Sequence, residues 1–329
     1  MSFAAWRWEI RQHRYGRTGW RLLVIGVLTL LQLAPGSGYG RTIGNADSDL
    51  RLPAHLGEVV YQERLDRDNR VYIIAQSHRS AISGKENDDC QQVQAEIYRI
   101  GEWLIAHEQV DVILPEGYFD SRSPNPDRQS LRPQGETRSF VKLDDASLAS
   151  LLGNPTEALS ADRLLHRTYD LTLRQVEDRE IFMAVADQLR SLLTAPPQEQ
   201  PDPNARPLLL YQQQKRTAVI LENTRGTMAE KRGETDNPAH GRRAILTIGL
   251  AHVDTMIDLL NNGKTHIPPP PGMEGRVDGC SCDLTGLKES CAIVVIIPQT
   301  LRKVSERLRQ HHLPLSRQPE QVLCPPGKT

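Results

Sequence analysis

The chain has 329 residues, 38% apolar and 25% charged, and its 40 basic residues stand against 41 acidic ones for a formal net charge of −1. That is ordinary globular material with room for one large domain or two small ones. The charge balance, the lack of a basic stripe and an aromatic content of only 5% argue against a nucleic-acid surface.

Arg7, Arg11, Arg14, Arg17 and Arg21 precede the apolar run Leu22–Leu31, and Ala34, Gly36, Ser37 and Gly38 follow it. A basic start, a short apolar run and a small-residue exit have the anatomy of a secretory signal. The run is shorter than the ~20 residues that cross a bilayer comfortably. Residues 1–40 are therefore expected to direct export to a periplasmic or extracellular compartment. The rival reading is an uncleaved segment that anchors the chain to a membrane, which would be its sole membrane contact.

Beyond this segment, residues 58–63 alternate like an edge strand, and Arg70–Ala75 forms a compact β-branched run typical of a buried strand. Asn87, Asp88 and Asp89 offer a helix start, and Val93, Ile97, Ile100 and Leu104 then share one helix face. Val110–Leu114 reads as a second buried strand. Strand, helix and strand at this spacing form a βαβ unit with parallel strands.

From Asp120 to Thr137 the chain is rich in Ser, Pro, Arg, Asn and Gln, as expected of a long exposed loop. Helices are predicted over residues 145–152, 160–167, 178–193 and 208–231, with a Pro-rich linker at 195–207. Ala244–Leu250 is a third buried strand, leading into a helix that stops near Asn262 and Gly263. Residues 263–290 carry a tetraproline and several glycines and read as an excursion. Ala292–Ile297 is a last strand, followed by a helix from Thr300. The fold class is α/β: a single domain over 50–312 with a largely parallel central sheet flanked by helices, insertions near 118–143, 195–207 and 263–290, and a loose tail over 313–329.

Five cysteines are present: Cys90, Cys280, Cys282, Cys291 and Cys324. In an oxidising compartment some pairing is expected, and the odd count leaves one over. Cys282 and Cys291 could close a small loop. A zinc site from Cys280, Cys282, Cys291 and His266 lacks the usual CxxC spacing, so a disulfide or idle thiols is the plainer reading.

Two segments match one another. Val71-Tyr-Ile-Ile-Ala75-Gln-Ser-His78 and Ile245-Leu-Thr-Ile-Gly249-Leu-Ala-His252 are each an apolar strand, a small residue, two more positions and a histidine. This is a faint internal duplication of strand-x-x-His units. In a parallel sheet both histidines would lie past the carboxyl ends of strands, the edge where open α/β sheets bind ligands. Glu116 emerges at the same edge after Val112-Ile113-Leu114-Pro115. A carboxylate leaving a buried strand needs a partner. Two imidazoles and a carboxylate at one edge suit a divalent metal, or a general base with its orienting acid.

The set His78, Glu116, Arg225 and Met228 in a long helix, then Gly249-x-x-His252, resembles the superfamily of the TraB and Tiki proteins, the erythromycin esterases and the ChaN-like haem-uptake lipoproteins. Leu221-Glu-Asn-Thr-Arg225-Gly-Thr-Met228-Ala229 is similar to that family's helix with an Arg and a Met–Ala pair, and Val176-Glu177-Asp178-Arg179-Glu180 to an acidic segment before a helix. The resemblance covers roughly residues 58–300 without the three insertions. Two positions depart from it: Ala75 stands where members usually carry Gly, and Gly226 where many carry Asn.

The resemblance implies a hydrolase attacking a peptide or ester carbonyl in a small-molecule or peptide substrate. His78 or His252 would act as base, and Arg225 would stabilise developing negative charge. His78, Glu116 and His252 would ligate Mn or Zn where a metal is used, and Glu177 would assist. The alternative is a ChaN-like binding protein for haem or another small ligand, without turnover. A sheet whose edge no longer does chemistry is the third reading, kept alive by Ala75. No GxSxG, P-loop, GxGxxG or HExxH motif is present.

Overall fold

The computed structural model describes residues 50–77, 88–119, 142–153, 160–194, 202–230 and 241–304, all within one compact unit, Arg41–Thr329. His78, the apolar run at 22–31, most of the loop after Glu116, the Pro-rich linker apart from Asp202–Pro207, and the tail lie outside the described residues. Among the described residues, no helix is long and apolar enough to cross a membrane.

The fold is α/β. Six strands form the central sheet: β1 (Gly57–Glu63), β2 (Asn69–Gln76), β3 (Val112–Pro115), β4 (Thr172–Leu173), β5 (Arg243–Gly249) and β8 (Cys291–Pro298), in the order β1-β8-β2-β5-β3-β4. All neighbours are parallel except β1, which runs antiparallel to β8 at one edge. A second, antiparallel pair is made by β6 (Lys264–Ile267) and β7 (Cys280–Asp283).

The helices are α1 (Asp88–Glu108), α2 (Asp145–Leu152), α3 (Ala161–Tyr169), α4 (Arg179–Thr194), α5 (Ala205–Ala229), α6 (Val253–Asn262) and α7 (Thr285–Ser290), with a further helix begun over 299–304. The excursion at 263–290 thus carries regular structure: β6, β7 and α7. Three of its glycines, Gly263, Gly272 and Gly275, take positive φ, a conformation that costs other residues a clash at Cβ.

The continuous apolar runs have their cause in this topology. Every residue of β8, and Val71–Gln76 of β2, is buried, as befits strands covered on both faces. β1, at the edge, alternates only loosely. At the amino edge Arg70, Tyr72 and Arg243 converge on the end of α1. Arg70 Nη1 and the Tyr72 hydroxyl reach Glu108 Oε2 at 2.9 and 2.7 Å, and Arg243 Nη1 donates to the Glu108 carbonyl at 2.7 Å. These bonds satisfy polar groups whose burial would otherwise cost about 1–3 kcal/mol each.

The two matched strands are neighbours, with Val71 facing Ala244 and Gln76 facing Gly249. The register is one residue off the correspondence seen in the sequence, which matches Ala75 with Gly249. Side chains alternate along a strand, so Gln76, not Ala75, shares Gly249's side of the sheet.

Candidate functional site

Three acidic or basic side chains leave the parallel strands at one edge. Glu116 follows β3 directly; its N–H continues the ladder to the Thr247 carbonyl at 3.0 Å, and Gly117, at φ +72°, then turns the chain. Glu177 lies just past β4, a two-residue strand that the sequence pattern does not reveal because so short a run has no period. Pro115 ends β3 without an N–H to offer β4, which pairs only with Val112 and Ile113. His252 closes the single 3-10 turn Leu250–His252 between β5 and α6.

The carboxylates are held by Arg216 of α5. Arg216 Nε donates to Glu177 Oε1 at 2.8 Å and Nη2 to Glu177 Oε2 at 2.7 Å, a bidentate pair. The same Nη2 donates to Glu116 Oε1 at 2.6 Å. The Glu177, Glu116 and Arg216 side chains are 0%, 3% and 8% exposed. Backbone donors complete the shell: Gly249 N–H meets Glu116 Oε2 at 2.5 Å and Gly117 N–H meets Glu177 Oε2 at 3.3 Å. Burial opposes the Arg216 charge, but the Glu177 hydrogen bonds and both carboxylates overcome it and hold the guanidinium above its ordinary range. Its Nη1 donates to nothing among the described residues.

His252, 4% exposed, stands beside this assembly. Its Nδ1 lies 2.7 Å from Thr217 Oγ1 and its Nε2 3.6 Å from Glu116 Oε1. Counted over the four side chains, two carboxylates and one guanidinium leave one negative charge in excess while the imidazole is neutral. At the outer side Phe182 lies over Arg216, ring centroid 4.9 Å from Cζ, and meets Phe119 edge-on at 5.2 Å. The chain has only 4 phenylalanines, so two of them at one site are a concentrated apolar surface.

Of the residues singled out from sequence, Glu116, Glu177 and His252 are brought together. His78 lies outside the described residues. Arg225 is not part of the cluster: it is exposed, and its Nη1 reaches the Asp283 carbonyl at 3.4 Å. Nine residues of helix at 1.5 Å each separate it from Arg216 by about 13 Å along the axis. Met228 is buried in the core.

The arginine in the cluster is Arg216, which sequence reasoning passed over together with Thr217. A signal was present. Leu209, Arg216, Ile220, Thr224 and Thr227 recur at helical spacing and are all buried, so a charged residue sat on an inward stripe where it needs a partner.

Glu116 Oε1 and His252 Nε2 are separated by a distance close to the bite of two ligands on one tetrahedral ion with bonds near 2.0–2.2 Å. They fit as two donors. Among the described residues, no three His, Cys, Asp or Glu side chains are grouped to hold a metal, and His78, the third ligand expected from sequence, lies outside them.

The sulfur set is not assembled. Cys90, Cys280, Cys282 and Cys291 are free thiols, so the loop that Cys282 and Cys291 could close does not form and the idle-thiol alternative holds for these four. Cys282 lies on β7 beside Glu222, whereas Cys291 starts β8 beyond α7. His266 Nδ1 meets Ser281 Oγ at 3.2 Å, on the strand face opposite Cys280 and Cys282.

A cavity of about 190 Å³ opens at the other edge of the sheet, near Trp103, His107 and Arg70, but Arg70 and Glu108 are there bonded to each other. The fold and site therefore define an α/β protein with a buried carboxylate–arginine–histidine cluster at the carboxyl edge of a parallel sheet. Compared with family models, with curated proteins and with solved structures, the chain matches none.

Proposed function

We propose that this protein is a hydrolase that adds water to a peptide or ester carbonyl at the carboxyl edge of its sheet, the activity implied by its resemblance to the TraB, Tiki and erythromycin-esterase group. The supporting observation is the buried Arg216–Glu116–Glu177 assembly beside His252. Fixed charges out of contact with water act strongly on charge that develops in a reaction. A buried histidine beside a carboxylate suits proton transfer.

In this reading His252 takes a proton from water as the water oxygen bonds to the carbonyl carbon. Glu116 stabilises the imidazolium that forms. Arg216 contributes its positive charge and its Nη1 donors, unpartnered among the described residues, to the tetrahedral oxyanion. The proton then passes from His252 to the departing oxygen or nitrogen as its bond to carbon breaks. Glu177 keeps the guanidinium in place. Where a divalent ion such as Mn²⁺ or Zn²⁺ is used, Glu116, His252 and His78 would hold it, and it would polarise the carbonyl and acidify bound water. We place this activity outside the cytoplasm, on the strength of the N-terminal pattern. The burial of Cys90, Cys282 and Cys291 would shield those thiols there.

The test is hydrolysis of ester and peptide libraries by the purified protein, with and without Mn²⁺ or Zn²⁺. Turnover that disappears in a His78→Ala/His252→Ala double variant is expected; equal rates in both proteins would refute the reading. The Phe119–Phe182 pair favours a second reading, a ChaN-like binder of haem or another small ligand. A Soret shift on haem addition without hydrolysis would select it.

A further inference from the structure

Thr217 belongs to no motif noticed in the sequence, yet it is fully buried and lies between the main chain of α5 and the ring of His252. Its Oγ1 is 2.9 Å from the Gln213 carbonyl and 2.7 Å from His252 Nδ1. A hydroxyl has one proton to give and two lone pairs. The carbonyl can only accept, so the hydroxyl proton goes to Gln213, the usual back-bond of a threonine within a helix. Nδ1 must then supply the proton of the second bond. The opposite assignment would leave the hydroxyl and carbonyl oxygens in contact with no proton between them, at a fully buried position, at a cost of about 1–3 kcal/mol.

We propose that Thr217 is a positioning residue that holds His252 in the tautomer protonated on Nδ1, so that Nε2 presents its lone pair on the Glu116 side. The functional meaning rests on the hydrolase reading above: a base needs a free lone pair on the side where water binds, and the partner of one ring nitrogen decides the state of the other. Nε2 then faces a carboxylate oxygen at 3.6 Å, an arrangement of two acceptors that draws a proton or another cation.

The test is nitrogen-15 NMR of the His252 ring in the whole protein, at a pH where the ring is neutral. The expected spectrum has a protonated Nδ1 and an unprotonated Nε2. Thr217→Ser should keep it, and Thr217→Val, equal in shape but without the hydroxyl, should lose the single tautomer. A protonated Nε2 in the wild type overturns the proposal, as does a Thr217→Val spectrum identical to wild type. Should Thr217→Val fail to fold, the wild-type and Thr217→Ser spectra decide alone. These spectra require no turnover, so absence of hydrolysis with the expected tautomer would sink the hydrolase reading and leave the role of Thr217 standing.

Discussion

Arg216 grips Glu177 through two parallel bonds of 2.8 and 2.7 Å, joining the middle of α5 to the chain just before α4. Both partners are buried. Removing one side of a buried pair leaves an uncompensated charge, which costs about 3–5 kcal/mol. Arg216→Met should therefore destabilise the protein by that order, read as a lower urea midpoint with unchanged slope. Glu177→Gln keeps the shape and loses charge-assisted bonds, so it should cost less, about 1.5–3 kcal/mol. Equal stability of all three proteins would show that the pair contributes nothing.

Gly117 occupies φ +72°, and a Cβ added there would meet Phe182 at an ordinary 3.7 Å. Space is available, so strain alone should decide. Gly117→Ala is expected to lose about 1–2 kcal/mol, and Gly117→Asn less, since asparagine tolerates the left-handed region.

Gly226 is the opposite case. It lies within α5 at negative φ, exposed, with nothing within 4 Å of an added Cβ. Gly226→Ala should raise stability by about 0.4–1 kcal/mol by restricting the unfolded chain, seen as a higher urea midpoint.

Most of the fold was legible because buried strands and amphipathic helices announce themselves by period. α2 was bounded to the residue, since Asp144 caps it through Ser147 N–H at 2.7 Å. β4 was invisible at two residues, and β6, β7 and α7 lay hidden among the prolines and glycines of the excursion. In the site, Glu116 and His252 were legible because each follows an apolar strand, and topology alone aligns parallel strand ends. Arg216 was not, because its partners are 100 and 39 residues distant. Arg225 drew notice through the family-like Met–Ala pair, yet the helix turns it outward.

Burial and the neighbouring Glu222 push the Cys282 thiol up from 9.0 to about 12. The unfolded chain releases that proton earlier, so between 9.0 and about 12 the folded state binds more protons and stability must fall as pH rises. The Tyr72 and Tyr169 phenols, raised by burial and by Glu108 and Glu102, add with the same sign. Thermal midpoints should therefore drop steadily above pH 9.0. In a Cys324→Ser background, native protein should react with a thiol reagent at half-exposed Cys280 well before Cys90, Cys282 or Cys291. Equal rates at all four would contradict the burial.

Glu116 Oε1 and His252 Nε2, 3.6 Å apart, form one working pair in the proposed hydrolysis. The most direct measurement is a double-mutant cycle on kcat/KM for the best substrate found, using Glu116→Gln, His252→Ala and the double variant. Groups that act as a unit lose rate together, not additively. Each single change should lower the rate about 10²–10⁴-fold, and the double variant should be no slower than the slower single. Losses that multiply, or rates equal to wild type, would show that the two side chains do not work together.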